Sequence, residues 1–412
     1  MFFLLLIGCS VNPVTGKKQL SLIPESQELA IGEEQYIPSQ QTQGGQFYLD
    51  PELTLYVRSV GEKLAKVSAR PDLPYEFVVL NSSIPNAWAL PGGKIAINRG
   101  LLTHLDDEAQ LAAVLGHEIV HAAARHSVQR MQKAQAISLG VGVLGMAVTD
   151  NEWAGLLMGG AALGAQLTLA QYGQSDELES DHYGIVYMKK AGYDPDAAVE
   201  LQQLFVKLSE GQDSNFIQGL LATHPPSGKR VHENLKLANK LGHGGYRGAD
   251  VYKKKTAILH RLQPAYDAHD EALKLASKDN MKAALEKINE AIRIEPDEAM
   301  FYALRGRIHE HQKELKKAAA DFDKATSLYP EMFVYRLYSG LNALALNNLN
   351  KARDNLTRAN QAVPTSIAFL RLGDIAVKQN QRNQAITYYK TAAEAGGKIG
   401  EEAKAKLAQL TQ

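Results

Sequence analysis

Apolar residues recur at helical spacing along most of the chain, and short runs of aromatic and β-branched residues interrupt them at a few places. The segment 51–66 places four apolar side chains on one helical face, at Leu53, Val57, Val60 and Leu64. The run YEFVVLNSS predicts a strand, and two short strands flank a Pro-Gly-Gly turn. The predicted elements in this part are helices over 25–36, 51–66, 106–134 and 174–190 and strands over 75–83, 86–90 and 94–97.

The C-terminal third follows a different pattern, with a repeat of about 34 residues. Three series keep this period: prolines at 296, 330 and 364, alanines at 284, 318, 352 and 385, and glycines at 306, 340 and 373. Each alanine is followed four residues later by a large residue, namely Ile288, Phe322, Leu356 and Tyr389. The pattern resembles the tetratricopeptide repeat, in which small residues let helices approach and a bulky residue fills the gap. We expect about four repeats and a capping helix.

Two glycine-rich apolar runs, 137–148 and 153–170, lie between the predicted helices over 106–134 and 174–190. The first is short for a membrane span, and glycine and Gln166 dilute the second. Buried helices beside an active site are one interpretation. Contact with a membrane or with an apolar substrate is the other.

Composition excludes some classes of protein and partner. A hydrophobic content of 45% with 22% charged residues is typical of globular domains. Lys and Arg together number 45, as do Asp and Glu, so the charge balance gives no argument for a nucleic-acid partner.

Cys9 is the only cysteine, which excludes a disulfide framework. It ends the run MFFLLLIGC, which resembles a bacterial lipobox and suits a signal-peptide core better than a membrane span. We expect residues 1–9 to be a lipoprotein signal with a lipidated Cys9, and outer-membrane sorting because Ser10 follows. The alternative is a chance cysteine in a short buried segment.

The stretch VLGHEIVHAAARH contains candidate metal ligands and a candidate general base. On a helix, His117 and His121 lie on one face and can bind one metal ion, while Glu118 can reach a water beside it as general base. The alternative is an ordinary helix with structural histidines. Because His126 would lie about 140° from His121 on a continuous helix, we expect it behind the ligands or in solvent.

A catalytic zinc site needs a third protein ligand. Ala124 and Ser127 stand where a metzincin has glycine and histidine, so that branch is excluded. The segment ELESD offers Glu177 as the ligand and Asp181, four residues on, as acceptor of a hydrogen bond from a ligand histidine. A solvated acidic helix start is the simpler interpretation of that pair.

Taken together, HEIVH, ELESD, Thr223-His224-Pro225-Pro226 and NAWALPGG resemble the HtpX, CAAX-prenyl-endopeptidase and BepA family of gluzincin metallopeptidases. The segment CSVNPVTGKKQLSLI resembles its lipoprotein members. With repeats appended, the resemblance is to the BepA-type periplasmic proteases of Gram-negative bacteria. Ser180, where relatives usually carry alanine, departs from the pattern.

The resemblance implies a role for each matching position. His117, His121 and Glu177 would hold one Zn²⁺ per chain, with Glu118 as the base. His224 would approach the metal and keep the site latent, or act in catalysis. Arg230 would stabilise the oxyanion. A turn histidine and a surface charge at a helix start are the simpler interpretations of these two residues. The edge strand that pairs with extended substrate would comprise Asn86, Ala87, Trp88 and Ala89.

The expected fold class is α+β: a mostly helical zincin domain with a small β-sheet, followed by an all-α solenoid of tetratricopeptide repeats. The expected domains are the signal over 1–9, the metallopeptidase over 10–250, a linker over 251–262 and the repeats over 263–412. The expected protein is a zinc endopeptidase of the periplasm, anchored to the outer membrane. Its substrates would be polypeptides, such as outer-membrane β-barrel proteins, and it would also contact their assembly machinery. The alternatives are a chaperone or assembly scaffold with a mostly latent zinc site, and a zinc-stabilised structural domain.

Overall fold

The computed structural model of the 412-residue chain describes residues 9–20, 22–135, 172–210 and 223–411. By their internal contacts, the described residues form two compact units. The first holds residues 9–40, 46–135, 172–210 and 223–260, apart from residue 21, and the second holds 41–45 and 261–411. The boundary falls between His260 and Arg261, and the expected linker 251–262 falls within two helices, Ala249–Lys255 and Ala257–Ser277, and Thr256 between them.

The first unit contains two small sheets. Strand β1 (Cys9–Val11) pairs antiparallel with β2 (Lys18–Leu20). The second sheet has β3 (Glu76–Leu80), β4 (Ala87–Leu90) and β5 (Lys94–Asn98) in the order β3-β5-β4. The pairing is parallel between β3 and β5 and antiparallel between β4 and β5. Strand β4 therefore lies at an edge of the sheet.

The described part of the first unit also contains nine helices. They are α1 (Glu25–Gln41), α2 (Pro51–Ala65), α3 (Arg99–Leu102), α4 (Glu108–Ala123), α5 (His126–Gln135), α6 (Gln174–Lys190), α7 (Asp196–Glu210), α8 (Gly228–Leu241) and α9 (Ala249–Lys255). Helix α2 packs on β3, and α4 packs on β4 and β5. Every residue of α4 is buried, so α4 is the central element of this unit.

The helix predicted over 106–134 is divided, which corrects the prediction. Helix α4 ends at Ala123 and α5 begins at His126, because Arg125 between them adopts a left-handed backbone with φ of 64°. The Arg125 guanidinium explains why the break is held. Its Nε lies 2.8 Å from Glu28 Oε2, and its Nη2 donates to Ile23 O at 2.6 Å. These long-range contacts are invisible in the local sequence pattern.

The second unit is built from four helix pairs and a final helix, as the 34-residue period predicted. The helices are α10 (Ala257–Ser277), α11 (Met281–Ile294), α12 (Ala299–His311), α13 (Leu315–Leu328), α14 (Phe333–Ala345), α15 (Leu349–Ala362), α16 (Ser366–Lys378), α17 (Arg382–Ala393) and α18 (Gly397–Thr411). The repeat glycines face the predicted bulky residues. A Cβ on Gly306 would meet the Phe322 ring at 2.6 Å, and one on Gly373 would meet the Tyr389 ring at 2.3 Å. The fold class inferred from the sequence is confirmed.

The turn inside each helix pair has one residue in the left-handed region of backbone space. These residues are Asp279, Lys313, Asn347 and Asn380, with φ between 59° and 64°. A left-handed residue after a helix ends it and reverses the chain. The sequence period therefore also sets where each pair turns.

Candidate metal centre

Helix α4 carries both histidines of the HEIVH segment. Because residues four apart lie on one helical face, His117 and His121 point the same way, and their Nε2 atoms lie 3.0 Å apart. His117 is 9% exposed and His121 is fully buried. The two imidazoles therefore present two nitrogen donors to one point inside the unit.

Helix α6 brings Glu177 to these nitrogens. The two helices cross at Gly116 and Gly184, where a Cβ on Gly184 would lie only 3.0 Å from His117 N. This close approach sets Glu177 Oε1 3.3 Å from His121 Nε2 and Glu177 Oε2 3.5 Å from His117 Nε2. The three residues predicted as zinc ligands thus lie together.

His224 joins them from the segment before α8. Its Nδ1 lies 3.3 Å from His117 Nε2 and 3.1 Å from Glu177 Oε1. Its Nε2 lies 3.5 Å from Glu118 Oε1. One donor atom from each of His117, His121, Glu177 and His224 falls within 4.8 Å of the others. His224 therefore lies where a fourth ligand would be.

The separations suit a zinc ion. A tetrahedral site with bonds of about 2.0–2.1 Å places its ligand atoms about 3.3–3.4 Å apart, and zinc takes imidazole nitrogen and carboxylate oxygen. The distances between these donor atoms run from 3.0 to 3.5 Å. The residues present therefore fit one zinc ion.

The charges around the donors also favour a cation. Burial alone would lower the pKa of His117, but Glu177 and Asp181 outweigh it and raise this pKa to about 10. Burial holds the pKa of His121 well below its usual range. Burial alone would raise the pKa of Glu177, but His224 and His117 keep it well below the usual value. Glu177 therefore stays ionised and His121 stays neutral, so both can act as donors to a cation.

Asp181 and Arg230 support His117 from outside the donor set. Asp181 Oδ1 lies 2.9 Å from His117 Nδ1, the contact expected to fix the tautomer that leaves Nε2 free for a metal. Arg230 Nε and Nη2 donate to Asp181 at 2.6 and 2.7 Å, and its Nη1 lies 2.8 Å from Glu177 Oε2. As placed here, Arg230 anchors two carboxylates. The oxyanion role expected for it stays a prediction.

Glu118 lies beside the donors without joining them. It is 2% exposed, and its Oε2 has no hydrogen-bond partner among the described residues. Burial raises its pKa above the usual range for a carboxyl. A carboxylate with a raised pKa next to a metal site suits a general base that works near neutral pH.

The segment expected to pair with substrate lies at the sheet edge. Because Asn98 N donates to Asn86 O, the alternation of the ladder turns the backbone groups of Ala87 and Ala89 to the open side of β4. Ala89 O accepts from Ser127 Oγ at 3.1 Å. All four residues of the segment are at most 6% exposed, and the Trp88 side chain belongs to the core. Pairing with substrate stays a prediction for this strand.

An apolar pocket adjoins His117 and Glu118, between α4, α6, α7 and α8. Its apolar lining includes Ala87, Leu101, Val114, Ile185, Leu201 and Phe205. Two buried polar atoms on its wall, Ser180 Oγ and Gln202 Oε1, have no hydrogen-bond partner within the described ranges. Nothing in the sequence pattern indicated this pocket.

Two further aromatic residues contact His121, and only one of them stands in a motif of the sequence. The Tyr172 ring stacks on the His121 ring at 3.8 Å, and no motif pointed to it. His126 Nδ1 lies 2.9 Å from His121 Nδ1, because the break at Arg125 turns α5 back toward α4. A continuous helix would have carried His126 away from this position.

Two sequence predictions lie outside what the structure describes. The apolar runs 137–148 and 153–170 fall beyond the described residues, and so does the side chain of Cys9. No helix in the described ranges is both long enough and apolar enough to cross a membrane.

Both units match known protein families. Residues 51–238 match Peptidase family M48, and residues 269–332 and 367–395 match the tetratricopeptide repeat. The chain thus carries an M48 peptidase domain, of a zinc-dependent metallopeptidase family, followed by tetratricopeptide repeats.

Several relatives match over different lengths. The beta-barrel assembly-enhancing protease of Escherichia coli K12 is 24% identical over 386 residues, which cover 92% of this chain and 69% of that protein. Its namesake from Yersinia pestis is 30% identical over 239 residues, covering 56% of this chain and 47% of that one. The mitochondrial metalloendopeptidase OMA1 of Schizosaccharomyces pombe is 34% identical over 180 residues, covering 44% of this chain and 51% of that one.

Proposed function

We propose that this chain, with its M48 peptidase domain and its tetratricopeptide repeats, is a zinc-dependent endopeptidase of envelope protein quality control. It degrades or processes misfolded or stalled outer-membrane proteins, and its repeats recruit substrates or partners. The observation that carries the proposal is the convergence of His117, His121 and Glu177 on one point, with the buried carboxylate of Glu118 beside it.

His117, His121 and Glu177 hold the zinc ion in this proposal. When bound, zinc supplies Lewis-acid polarisation of the scissile carbonyl and stabilises the negative charge that develops there. Asp181 Oδ1 accepts a hydrogen bond from the Nδ1–H group of His117 at 2.9 Å and so keeps the Nε2 lone pair directed at the donor set.

Glu118 transfers a proton from the attacking water to the leaving group in this proposal. Its Oε2, which has no hydrogen-bond partner in the described part of the chain, takes a proton from the attacking water and returns it to the leaving amide nitrogen. The raised pKa of Glu118, caused by its burial, brings its proton affinity closer to what both transfers need near neutral pH.

His224 regulates access in the conformation described. With its Nδ1 beside His117 Nε2 and Glu177 Oε1, it occupies the position that water or substrate needs at a catalytic metal. We therefore assign it the role of a latch, which must move before cleavage. A direct catalytic role is the alternative, and the two predict opposite effects of its removal.

Substrate binds in two places in this proposal. An extended polypeptide pairs with the outer edge of β4 through the backbone of Ala87, because Ala89 O already accepts from Ser127 Oγ. A side chain next to the scissile bond enters the apolar pocket beside Glu118, where Ser180 Oγ and Gln202 Oε1 offer it hydrogen bonds. Both features lie close to the donor set, as an endopeptidase requires.

The proposed location is the periplasm, with the chain anchored to the outer membrane through a lipidated Cys9. The lipobox-like sequence before Cys9 supports the anchor. The relatives named beta-barrel assembly-enhancing protease support outer-membrane β-barrel proteins and their assembly machinery as substrates and partners. The repeats offer the surface for such contacts.

A second candidate function has one observation in its favour. Because His224 lies where a fourth ligand would be, the site can also be one that stays latent, and the protein would then be a periplasmic chaperone or assembly scaffold. The intact Glu118 favours the protease, since a scaffold has no use for a buried general base.

One experiment separates the two functions. The full chain and its Glu118→Gln variant, at equal zinc content, are incubated with an unfolded outer-membrane β-barrel protein. Cleavage by the parent chain alone supports the protease. If neither protein cleaves while both prevent aggregation of the substrate, the scaffold function replaces it.

A further inference from the structure

A chain of polar contacts connects His121, the second histidine of the motif, to the N-terminal segment, residues 9–23 apart from residue 21. His121 Nδ1 lies 2.9 Å from His126 Nδ1, and His126 Nε2 lies 3.4 Å from Glu179 Oε1. Asn12 Nδ2 donates to the same Glu179 oxygen at 2.9 Å. Three of these side chains, His121, His126 and Asn12, are at most 6% exposed. The contacts therefore form a largely buried line from the donor set to residue 12.

The protons along this line can be assigned in one consistent direction. If His121 gives its Nε2 lone pair to a metal, its Nδ1 carries the proton and donates to His126 Nδ1. His126 then carries its own proton on Nε2 and donates to Glu179 Oε1. Asn12 Nδ2 can only donate, so Glu179 receives both hydrogen bonds as an acceptor. Every contact has one donor and one acceptor.

We propose that His126, Glu179 and Asn12 are positioning residues that orient His121 for metal binding, so that the N-terminal segment is part of the metal centre. The inference rests on the metal site of the proposed function and goes beyond it. It identifies the residues that hold the His121 ring, which the sequence motif does not indicate.

Different residues thus hold the two ligand histidines in place. His117 is held by Asp181, which Arg230 anchors in turn. Asp181 is bonded to His117, and the Nδ1 of His121 instead contacts His126. A carboxylate behind a ligand imidazole is a common arrangement at metal sites. Here His126 stands between the ligand and the carboxylate of Glu179.

Asn12 is fixed well enough to serve as the end of this line. Its Oδ1 accepts from the backbone N–H groups of Val14 and Thr15 at 2.8 and 3.2 Å, and its own N–H donates to Lys17 O at 2.8 Å. These bonds hold Asn12 in the turn between β1 and β2 and leave Nδ2 directed at Glu179.

The same N-terminal segment contacts the helix break at two further points. Gln129 Nε2 on α5 donates to Gln19 Oε1 at 2.8 Å. Arg125 Nη2 donates to Ile23 O at 2.6 Å. Because His126 directly follows Arg125, these contacts hold the turn that places the His126 ring against His121. The N-terminal segment therefore supports His126 through the backbone as well as through Asn12.

The test measures zinc affinity of the full chain by competition with a chromophoric chelator, independently of proteolysis. We expect His126→Ala and Glu179→Ala to weaken zinc binding roughly 10- to 100-fold. We expect Asn12→Ala to weaken it roughly fivefold, as loss of one hydrogen bond would. Glu179→Gln keeps a carbonyl oxygen for both donors and should recover most of the loss.

A double variant separates positioning from general damage. If Asn12 acts through Glu179, Asn12→Ala should add nothing to Glu179→Ala, whereas independent effects would add. Asn239→Ala and Glu233→Gln, at exposed positions of α8, are the matched controls and should leave affinity unchanged. Melting of each variant without zinc shows whether the variant still folds.

The outcomes are distinct. If the parent chain binds no zinc, the proposed metal site itself fails. If the parent binds zinc and the folded Glu179→Ala and His126→Ala variants bind it equally well, the positioning proposal is overturned. Additive losses in the double variant would overturn the link between Asn12 and Glu179.

Discussion

His224 Nδ1 lies 3.1 Å from Glu177 Oε1, although the two residues are 47 positions apart in the chain. This contact brings a histidine from the segment before α8 against a carboxylate that α6 presents to the HEIVH histidines. The site therefore contains four protein donors, where a catalytic zinc site keeps three and leaves one position open.

The first prediction concerns His224 as a latch. His224→Ala should raise the initial rate of cleavage of an unfolded protein at matched zinc content. The increase would be about tenfold if latched molecules outnumber open ones ten to one. His232→Ala, at an exposed position of α8, is the control and should leave the rate unchanged. A fall in cleavage with zinc retained would show instead that His224 serves catalysis directly.

The second prediction concerns Glu118 as the general base. Glu118→Gln preserves the shape of the side chain but cannot take a proton, so kcat should fall by about 10²–10⁴ while zinc content stays the same. Initial rates and metal analysis on the same preparation measure both quantities. Proteolysis at the parent rate would rule out this base.

The third prediction concerns Arg230 as the anchor of Asp181 and Glu177. Because Arg230→Ala leaves two buried carboxylates without their partner, the free energy of unfolding should fall by about 3–5 kcal/mol. Urea denaturation of the zinc-free chain measures it. Lys229→Ala, an exposed neighbour, should have little effect.

Arg230→Lys distinguishes this role from the oxyanion role. Lysine cannot reproduce the two-nitrogen contact with Asp181, so an anchor predicts lower stability and weaker zinc binding. A lysine variant that folds and binds zinc like the parent chain, but loses kcat, would favour the oxyanion role.

The fourth prediction concerns helix packing in the repeats. A Cβ on Gly340 would lie 2.7 Å from Leu356 Cγ, so Gly340→Ala should force α14 and α15 apart. Overpacking of this kind costs about 1–3 kcal/mol of stability. Gly228→Ala is the control, because a Cβ there meets nothing within 4 Å. Equal thermal melting of the two variants would contradict the packing argument.

The fifth prediction concerns pH and Asp374 in the last repeat. Burial alone would raise the pKa of Asp374, but hydrogen bonds from Lys406, Arg371 and Tyr389 hold it below its usual value. A carboxyl with a lowered folded-state pKa stabilises the fold above the unfolded value of about 3.9, and this contribution is lost as the pH falls further. Asp374→Asn should therefore melt earlier than the parent near neutral pH.

The difference in melting temperature between parent and Asp374→Asn should shrink as the pH falls from about 7 to about 3. Asp354→Asn, at an exposed position of α15, serves as the control. A difference that stays constant over this range would show that the charge of Asp374 does not stabilise the repeats.

The sequence alone determined the features that depend on local geometry. His117 and His121 lie together because any helix places residues four apart on one face, and Glu177 and Asp181 follow the same rule on α6. The repeats were predictable from their period. A glycine and a bulky residue recur at the same offset in successive repeats, as Gly306 and Phe322 do, and stacked helix pairs explain this spacing.

The contacts that hold the site residues in place depend on the tertiary structure alone. The contact between Asn12 and Glu179 joins residues 167 positions apart, and that between His117 and His224 joins residues 107 apart. No periodicity in the sequence specifies such pairs, because they depend on how the elements pack. The break at Arg125 is the sharpest example: local propensity favoured one long helix, and distant contacts at Glu28 and Ile23 hold the turn.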